Sequence, residues 1–304
     1  MAAARRPVHR DTISIEDAIE ALSRSGYLLE NRIARTLDPF ATNLAMNVLF
    51  SDPETGQPRE LDAYCFRAET SDVQDYFDAS AHLLIECINS PQPIAFFSAA
   101  RSPALYPILA ARPAWLGPHP IEESIGVKDF HHCFRVPVAT NYCTFVPKKS
   151  SGEWMVTHAD EQHRELSTLA TLAQLTRAKQ LQVLEDFSRP QDAMQFCGVE
   201  LICPILVVEG VLFEVGQDSK GTIKLEETSH ICYCKSQIWK GTRQYCPIEV
   251  VTESFFPKLL ELIESDCKQI LGRMEARSDE ILEAARNQDE YGENKRSVLE
   301  DLLP

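Results

Sequence analysis

No apolar run in these 304 residues reaches the ~18 that a membrane-spanning helix needs. No Cys-x-x-Cys pair is present although the chain carries 10 cysteines, so the common thiol-redox and zinc-finger spacings are excluded. Cys65, Cys87, Cys143, Cys203 and Cys232 lie instead inside apolar strand-like runs, where a thiol behaves as a small hydrophobe. That usage suits a reducing cytoplasm better than a disulfide framework. Gly-x-Gly-x-x-Gly, Walker and Gly-x-Ser-x-Gly motifs are all missing, which removes support for nucleotide-driven chemistry and for a serine-hydrolase elbow. Basic charge is in short supply: 30 Lys and Arg stand against 45 Asp and Glu, a net charge of -15. A chain so acidic is not one coated in nucleic acid, although a local basic cleft is compatible with it.

Hydrophobic residues make up 44% of the chain, enough for a substantial core. Residues 1–10 are expected to form a flexible basic arm, because Met1-Ala2-Ala3-Ala4-Arg5-Arg6 leads into charge and not into the apolar stretch of a secretory signal. Ser14 followed by Asp17 resembles a capping box for a helix at about 15–24. A second helix at 27–37 carries Leu29, Ile33 and Leu37 on one face and stops at Asp38-Pro39. A strand at 44–50, the turn Asp52-Pro53-Glu54-Thr55-Gly56 and a returning strand at 61–66 make a hairpin. A polar insert at 69–79 precedes a strand at 82–88, and another follows at 94–97. Residues 101–125 read as loops and short helices, with strands near 133–138 and 141–146. A long helix at 158–185 carries Leu166, Leu169, Ala173, Leu181 and Leu184 as its apolar stripe. Strands are expected near 200–208, 211–215, 223–234 and 246–252, then a helix from Phe255 to about Ala285. Strands and helices alternate without a linker. The expectation is one α/β domain over 11–286, a mixed sheet flanked by helices, with a polar tail at 287–304.

Three carboxylates recur in a meaningful order. Glu30 lies on the second helix, Asp62 closes Arg59-Glu60-Leu61-Asp62 on the returning strand, and Glu86 interrupts Leu83-Leu84-Ile85-Glu86-Cys87-Ile88. Residues two apart on a strand share a face, so Glu86 and Ile88 point the same way while Cys87 offers its carbonyl. A hard divalent cation takes carboxylate and carbonyl oxygens, and it polarises a phosphate and lowers the pKa of bound water. The bland reading stands beside this one. A helix glutamate such as Glu30 is usually solvated, and Asp62 fits an ordinary strand-end charge. Glu86 is harder to dismiss, because an unpaired carboxylate in that apolar run is costly.

The ordered set Glu30, Glu60-Leu61-Asp62 and Glu86-Cys87-Ile88-Asn89 resembles the restriction-endonuclease-like superfamily, whose motif is written PD-(D/E)XK. The resemblance covers about residues 26–98, and the helix at 158–185 is a candidate for the family's second core helix. It implies a restriction-endonuclease-like core acting on nucleic acid, DNA ahead of RNA, with a prokaryotic role in restriction or defence. It implies Mg²⁺ held by Asp62, Glu86 and the Cys87 carbonyl, and Glu30, Asp62 and Glu86 as the catalytic set. The family's lysine, thought to position or activate the attacking water, is replaced by Ile88. Lys179 or Arg177 from the long helix, or Asn89 or Gln92, are candidates to replace it. The alternative is a catalytically inactive pseudo-nuclease, a binding or assembly subunit with a protein partner or a second copy of itself.

Weaker signals remain. His230, Cys232 and Cys234 share a strand face with Cys246 later, which reads as buried cysteines ahead of a zinc site. His131-His132-Cys133 reads similarly, with one histidine expected to be exposed. Lys220, Lys224, Lys235, Lys240 and Arg243, near Tyr233 and Trp239, form either a solvated hairpin or a track for a phosphate backbone. Lys148-Lys149 is a second small basic cluster. Phe256, Leu260, Ile263, Cys267, Ile270 and Met274 form a helical seam, read as packing on the chain's own domain ahead of pairing with another helix.

Overall fold

Ser14 sets where the first helix begins. Its hydroxyl accepts the Asp17 N–H at 3.0 Å and donates to the Asp17 carboxylate at 2.7 Å, so the expected cap forms and α1 spans Ile15–Ser23. The computed structural model describes residues 13–23, 25–53, 55–72, 77–98, 113–116, 130–157, 160–186, 197–217, 220–239 and 241–280. The expected arm at 1–10, the tail at 287–304 and most of the proline-rich 101–125 stretch lie outside them. Helix α2 spans Tyr27–Leu37 and buries Leu29, Ile33 and Leu37, the expected stripe. Helix α3 is Asp160–Asp186 and helix α4 is Phe256–Glu275. Among the described residues no helix is long and apolar enough to cross a membrane.

The strands are β1 Asn43–Ser51, β2 Pro58–Thr70, β3 Phe77–Asn89, β4 Ile94–Ser98, β5 Pro113–Leu116, β6 Val138–Pro147, β7 Trp154–Thr157, β8 Cys197–Glu209, β9 Leu212–Gln217, β10 Ile223–Thr228, β11 His230–Trp239 and β12 Thr242–Thr252. All belong to one mixed sheet, ordered β1-β2-β3-β8-β12-β11-β6-β4-β9-β10, with β5 beside β8 and β7 beside β6. The architecture is thus α/β, a large mixed sheet with helices against it. Several boundaries differ from expectation. The polar insert at 69–79 ends inside β2 and β3. The 133–138 strand is a 3-10 turn, His132–Arg135, leading into the single strand β6. The 223–234 run is two strands, β10 and β11, broken at Ser229.

Strands β3 and β8 form the spine. They run parallel from Phe77 with Cys197 to Asn89 with Glu209. Both chains then bend at the same level. Ser90 donates its N–H to the Glu209 carbonyl, and Ile94 donates to Val211. They resume as parallel neighbours β4 and β9. Gly210 makes the bend possible, since a Cβ there would stand 2.5 Å from the Ser90 carbonyl oxygen.

Side chains on the two sheet faces build two cores. One gathers Leu29 and Ile33 of α2 with Leu83 and Ile85 of β3 and the α4 seam Phe256, Leu260, Ile263, Cys267, Ile270 and Met274. That seam is buried in its own domain, as expected. The other core gathers Leu166, Leu169 and Ala173 of α3 with Leu84 and Ile88 of β3 and inward residues of strands through β12. Strand β2 changes sides between the cores: Leu61 joins the α3 side, whereas Ala63 and Cys65 join the α2 and α4 side. The switch falls at Asp62. Across from it, between the pairs Met46–Ala63 and Val48–Leu61, Asn47 adopts a left-handed φ of 53°.

Candidate metal and active site

The irregularity at Asp62 creates the site. The β2–β3 ladder ends at the pair Ala63–Ile85. Two residues beyond Ile85, the Cys87 N–H has a side-chain acceptor instead: it donates to an Asp62 carboxylate oxygen at 2.7 Å. The carboxylate of Asp62 thereby takes the place of a backbone carbonyl, and it meets the side chain of Glu86, with which it shares a hydrogen bond. Glu86 is only 2% exposed. It lies on the α3 face of β3, as does Ile88, in line with strand alternation.

Burial pushes the Glu86 carboxyl up to about 10, with the charges of Asp62 and Glu165 adding to the shift and Arg164 opposing it. Asp62 is also raised by burial, while the Cys87 N–H pulls it back down. At neutral pH, Glu86 is therefore the protonated partner that donates to the Asp62 carboxylate. The other Glu86 oxygen, Oε1, is buried with no hydrogen-bond partner. Glu30 on α2 is raised by burial and then by the charges of Asp62 and Glu60. Burial holds the Cys87 thiol well above its usual range, so Cys87 brings a carbonyl and not a thiolate.

Glu30, Asp62, Glu86 and Cys87 thus sit within electrostatic reach of one another. Two further residues, not singled out in the sequence, belong with them. Glu165 of α3 raises both Asp62 and Glu86, and Arg164 is the cation acting on Glu86. The Arg164 side chain is exposed and also pairs with Glu165 at 2.6 Å. Sequence spacing does not reveal these two, because the apolar stripe of α3 says nothing of what its first turns face. Gln162, one turn earlier and buried, donates to Ser90 at 3.4 Å.

The other candidates to replace the lysine are remote or engaged. Arg177 and Lys179 lie about 18 and 21 Å beyond Glu165 along α3, at 1.5 Å per residue, and Lys179 is exposed. Asn89 points away from Glu86 by alternation and bonds Glu209 at 3.0 Å. Ser90 Oγ donates to the Gln92 carbonyl at 2.7 Å, and no contact of the Gln92 side chain ties it to Glu86. Ile88 is 3% exposed and packs among the α3 leucines.

The weaker signals resolve as follows. Cys232 and Cys234 lie in a small apolar cluster with Cys133, whereas Cys246 faces the α3 core, so the three cysteines do not converge. His131 and His132 are both buried, against the expectation that one is exposed. Tyr233 packs against Phe96 and Tyr142, with centroids at 5.8 and 5.5 Å, and Lys235 is buried with its pKa lowered by burial. Lys224 and Arg243 are exposed, and Lys240 lies outside the described residues. That stretch spreads over β10, at one end of the sheet, and the interior pair β11–β12, so its basic residues do not share one strand. No family model, curated protein or solved structure matches the chain.

Proposed function

We propose that the corner built by Glu30, Asp62, Glu86 and the Cys87 carbonyl is a Mg²⁺-dependent phosphodiesterase site of the restriction-endonuclease-like type, acting on nucleic acid. The observation that carries the reading is the pair Asp62–Glu86. A buried carboxyl with an orphaned oxygen, hydrogen-bonded to a second carboxylate, is a site where a proton stands in for a cation. Chain order supports it as well. Helix α2, the antiparallel run β1-β2-β3, helix α3 and strand β8 parallel to β3 supply both helices that the resemblance calls for, on opposite faces of the sheet.

The divalent ion, when bound, supplies Lewis-acid polarisation of the phosphate and a more acidic water. The chain's own residues do the rest. Asp62 is held in place by the Cys87 N–H, so its free oxygen is fixed in direction. Glu86 would hold such an ion as a carboxylate, so binding would be linked to release of its proton. Glu30 of α2 and Glu165 of α3 would accept hydrogen bonds from water at the ion. Arg164, exposed and acting on Glu86, takes the role of the missing lysine as the positive charge facing a phosphate.

One observation favours a second reading. Ile88 is packed into the α3 core, so the motif position has become structural. On that reading the chain is a pseudo-nuclease that binds nucleic acid or a protein partner. A cleavage assay separates the two, using single- and double-stranded DNA and RNA with Mg²⁺ or Mn²⁺. Active enzyme is expected to lose cleavage in Asp62→Asn and Arg164→Ala while both variants stay folded. Absence of cleavage by wild type, with activity gained in Ile88→Lys, selects the pseudo-nuclease. Cleavage that survives loss of both Asp62 and Glu86 rejects the site.

A further inference from the structure

His132 and Asp266 are 134 residues apart in sequence and meet on the face of the sheet opposite Glu86. Asp266 projects from the buried side of α4, 2% exposed, beside the core residues Ile263, Cys267 and Ile270. Its Oδ2 accepts from His132 Nδ1 at 2.6 Å and from the His132 N–H at 3.2 Å. The adjacent His131 brings its own Nδ1 to 3.4 Å from the same oxygen. That Nδ1 also accepts the Cys133 N–H at 3.2 Å, so it carries a lone pair and not a proton. A neutral imidazole nitrogen and a carboxylate oxygen therefore face each other lone pair to lone pair. One donor atom from each of His131, His132 and Asp266 lies within 4.8 Å of the others, and all three residues are buried.

A second layer stands behind them. His132 Nε2 is 3.7 Å from one oxygen of Glu249, whose other oxygen meets His230 Nε2 at 2.6 Å. Glu249 and His230 are buried too. Two carboxylates withdrawn from water need two positive charges to compensate them. Two imidazolium ions would provide these, and so would one dication. The lone pair of His131 facing Asp266 fits the dication. The Glu249 carboxylate lies behind the far nitrogen of His132, beyond direct hydrogen-bond distance.

We propose that His131, His132 and Asp266 bind one divalent transition-metal ion, zinc by the donor set, which ties the 3-10 turn ahead of β6 to helix α4. Imidazole nitrogens with a carboxylate select zinc and its neighbours over magnesium. This centre is separate from the all-oxygen corner at Asp62 and Glu86, on the other face of the sheet, and does not depend on that reading.

The test is metal analysis of the full chain expressed in zinc-replete medium and dialysed against metal-free buffer. About one equivalent of zinc per chain is expected, as a buried, folding-linked site would retain. His131→Gln and Asp266→Asn should fall to roughly a tenth of that or less, while Glu86→Gln keeps it. His131→Gln preserves the His132–Asp266 hydrogen bond, so its far-ultraviolet dichroism checks that the loss is not unfolding. Chelation should lower the melting temperature by several degrees, with recovery on adding Zn²⁺ or Co²⁺ and not Mg²⁺. Co²⁺ should bring ligand-field bands that His131→Gln loses. Metal-free wild type whose melting is unmoved by Zn²⁺ or Co²⁺ overturns the proposal and leaves two imidazolium ions balancing the carboxylates. Zinc retained in both His131→Gln and Asp266→Asn overturns it as well.

Discussion

Glu86 is neutral in the folded chain at physiological pH, and this has a measurable sign. Its pKa is raised from 4.5 to about 10. The folded state therefore holds a proton that the unfolded state has released across that window. The associated stability is fully present below about pH 4.5 and is lost as pH rises toward 10. Glu86→Gln keeps a neutral hydrogen-bonding side chain, so it should be more stable than wild type at pH 8 and nearly equal at pH 4. Denaturant melts at the two pH values measure this, and equal differences at both would contradict the burial argument. Asp78, pushed up to about 7 by burial and the charge of Glu200, gives a narrower version of the same effect. Asp78→Asn should gain stability between pH 4 and 7 and level off above. The importance of Glu86 was legible from one fact, a carboxylate inside Leu-Leu-Ile-Glu-Cys-Ile. Its partners were less so: Asp62 stood out by motif order, whereas Glu165 and Arg164 reach the corner only because α3 packs across β3.

Among the elements, those with a strong apolar period are legible in the sequence. Helix α2 announces itself by Leu29, Ile33 and Leu37, and the α4 seam by its steps of four and three. The misreadings fall where local propensity and tertiary pairing disagree. His132–Arg135 has strand-like neighbours but forms a 3-10 turn, because Asp266 accepts the His132 N–H that a strand partner would have taken. No short-range pattern encodes a contact across that sequence distance. The break in β2 at Asp62 was equally silent, since it depends on Asn47 in a left-handed conformation across the hairpin. Asn47→Gly should be tolerated, whereas Asn47→Val should cost about 1–2 kcal/mol, because a β-branched side chain resists positive φ. Chemical denaturation of the two variants checks this, and equal stability would mean that the twist is not needed. The bend at Gly210 gives a sharper case. Gly210→Ala places a methyl 2.5 Å from a backbone oxygen, so the β3–β4 and β8–β9 bends must part, at a cost of about 1–3 kcal/mol.

At the scale of the whole molecule, the parallel pair β3–β8 separates two cores, and polar clusters lie on both faces of the sheet. The oxygen-rich corner lies toward α3, and the histidine cluster lies toward α4. The net charge of -15 has a consequence for the first of these. Glu30, Asp62 and Glu165 together repel a phosphate backbone unless a cation intervenes, with Glu86 neutral beside them. Binding of a fluorescent DNA duplex should therefore require Mg²⁺ and weaken by about tenfold or more on chelation. Asp62→Asn should lose that dependence. Affinity that is unchanged by chelation would count against the proposed site. The overall α/β class was legible in the alternation of strands and helices. The curl that returns β4 beside β6, with β9 next to β4, was not, because it arises from two bends held together across β3 and β8.

The most direct test of the central claim is a crystal of the full chain soaked in Mn²⁺ at about pH 8 and measured at the manganese absorption edge. The account predicts an anomalous peak within coordination distance of Asp62, Glu86 and the Cys87 carbonyl, with the hydrogen bond between the two carboxyls gone. A soaked crystal in which that bond persists, with no peak between Asp62 and Glu86, would contradict it.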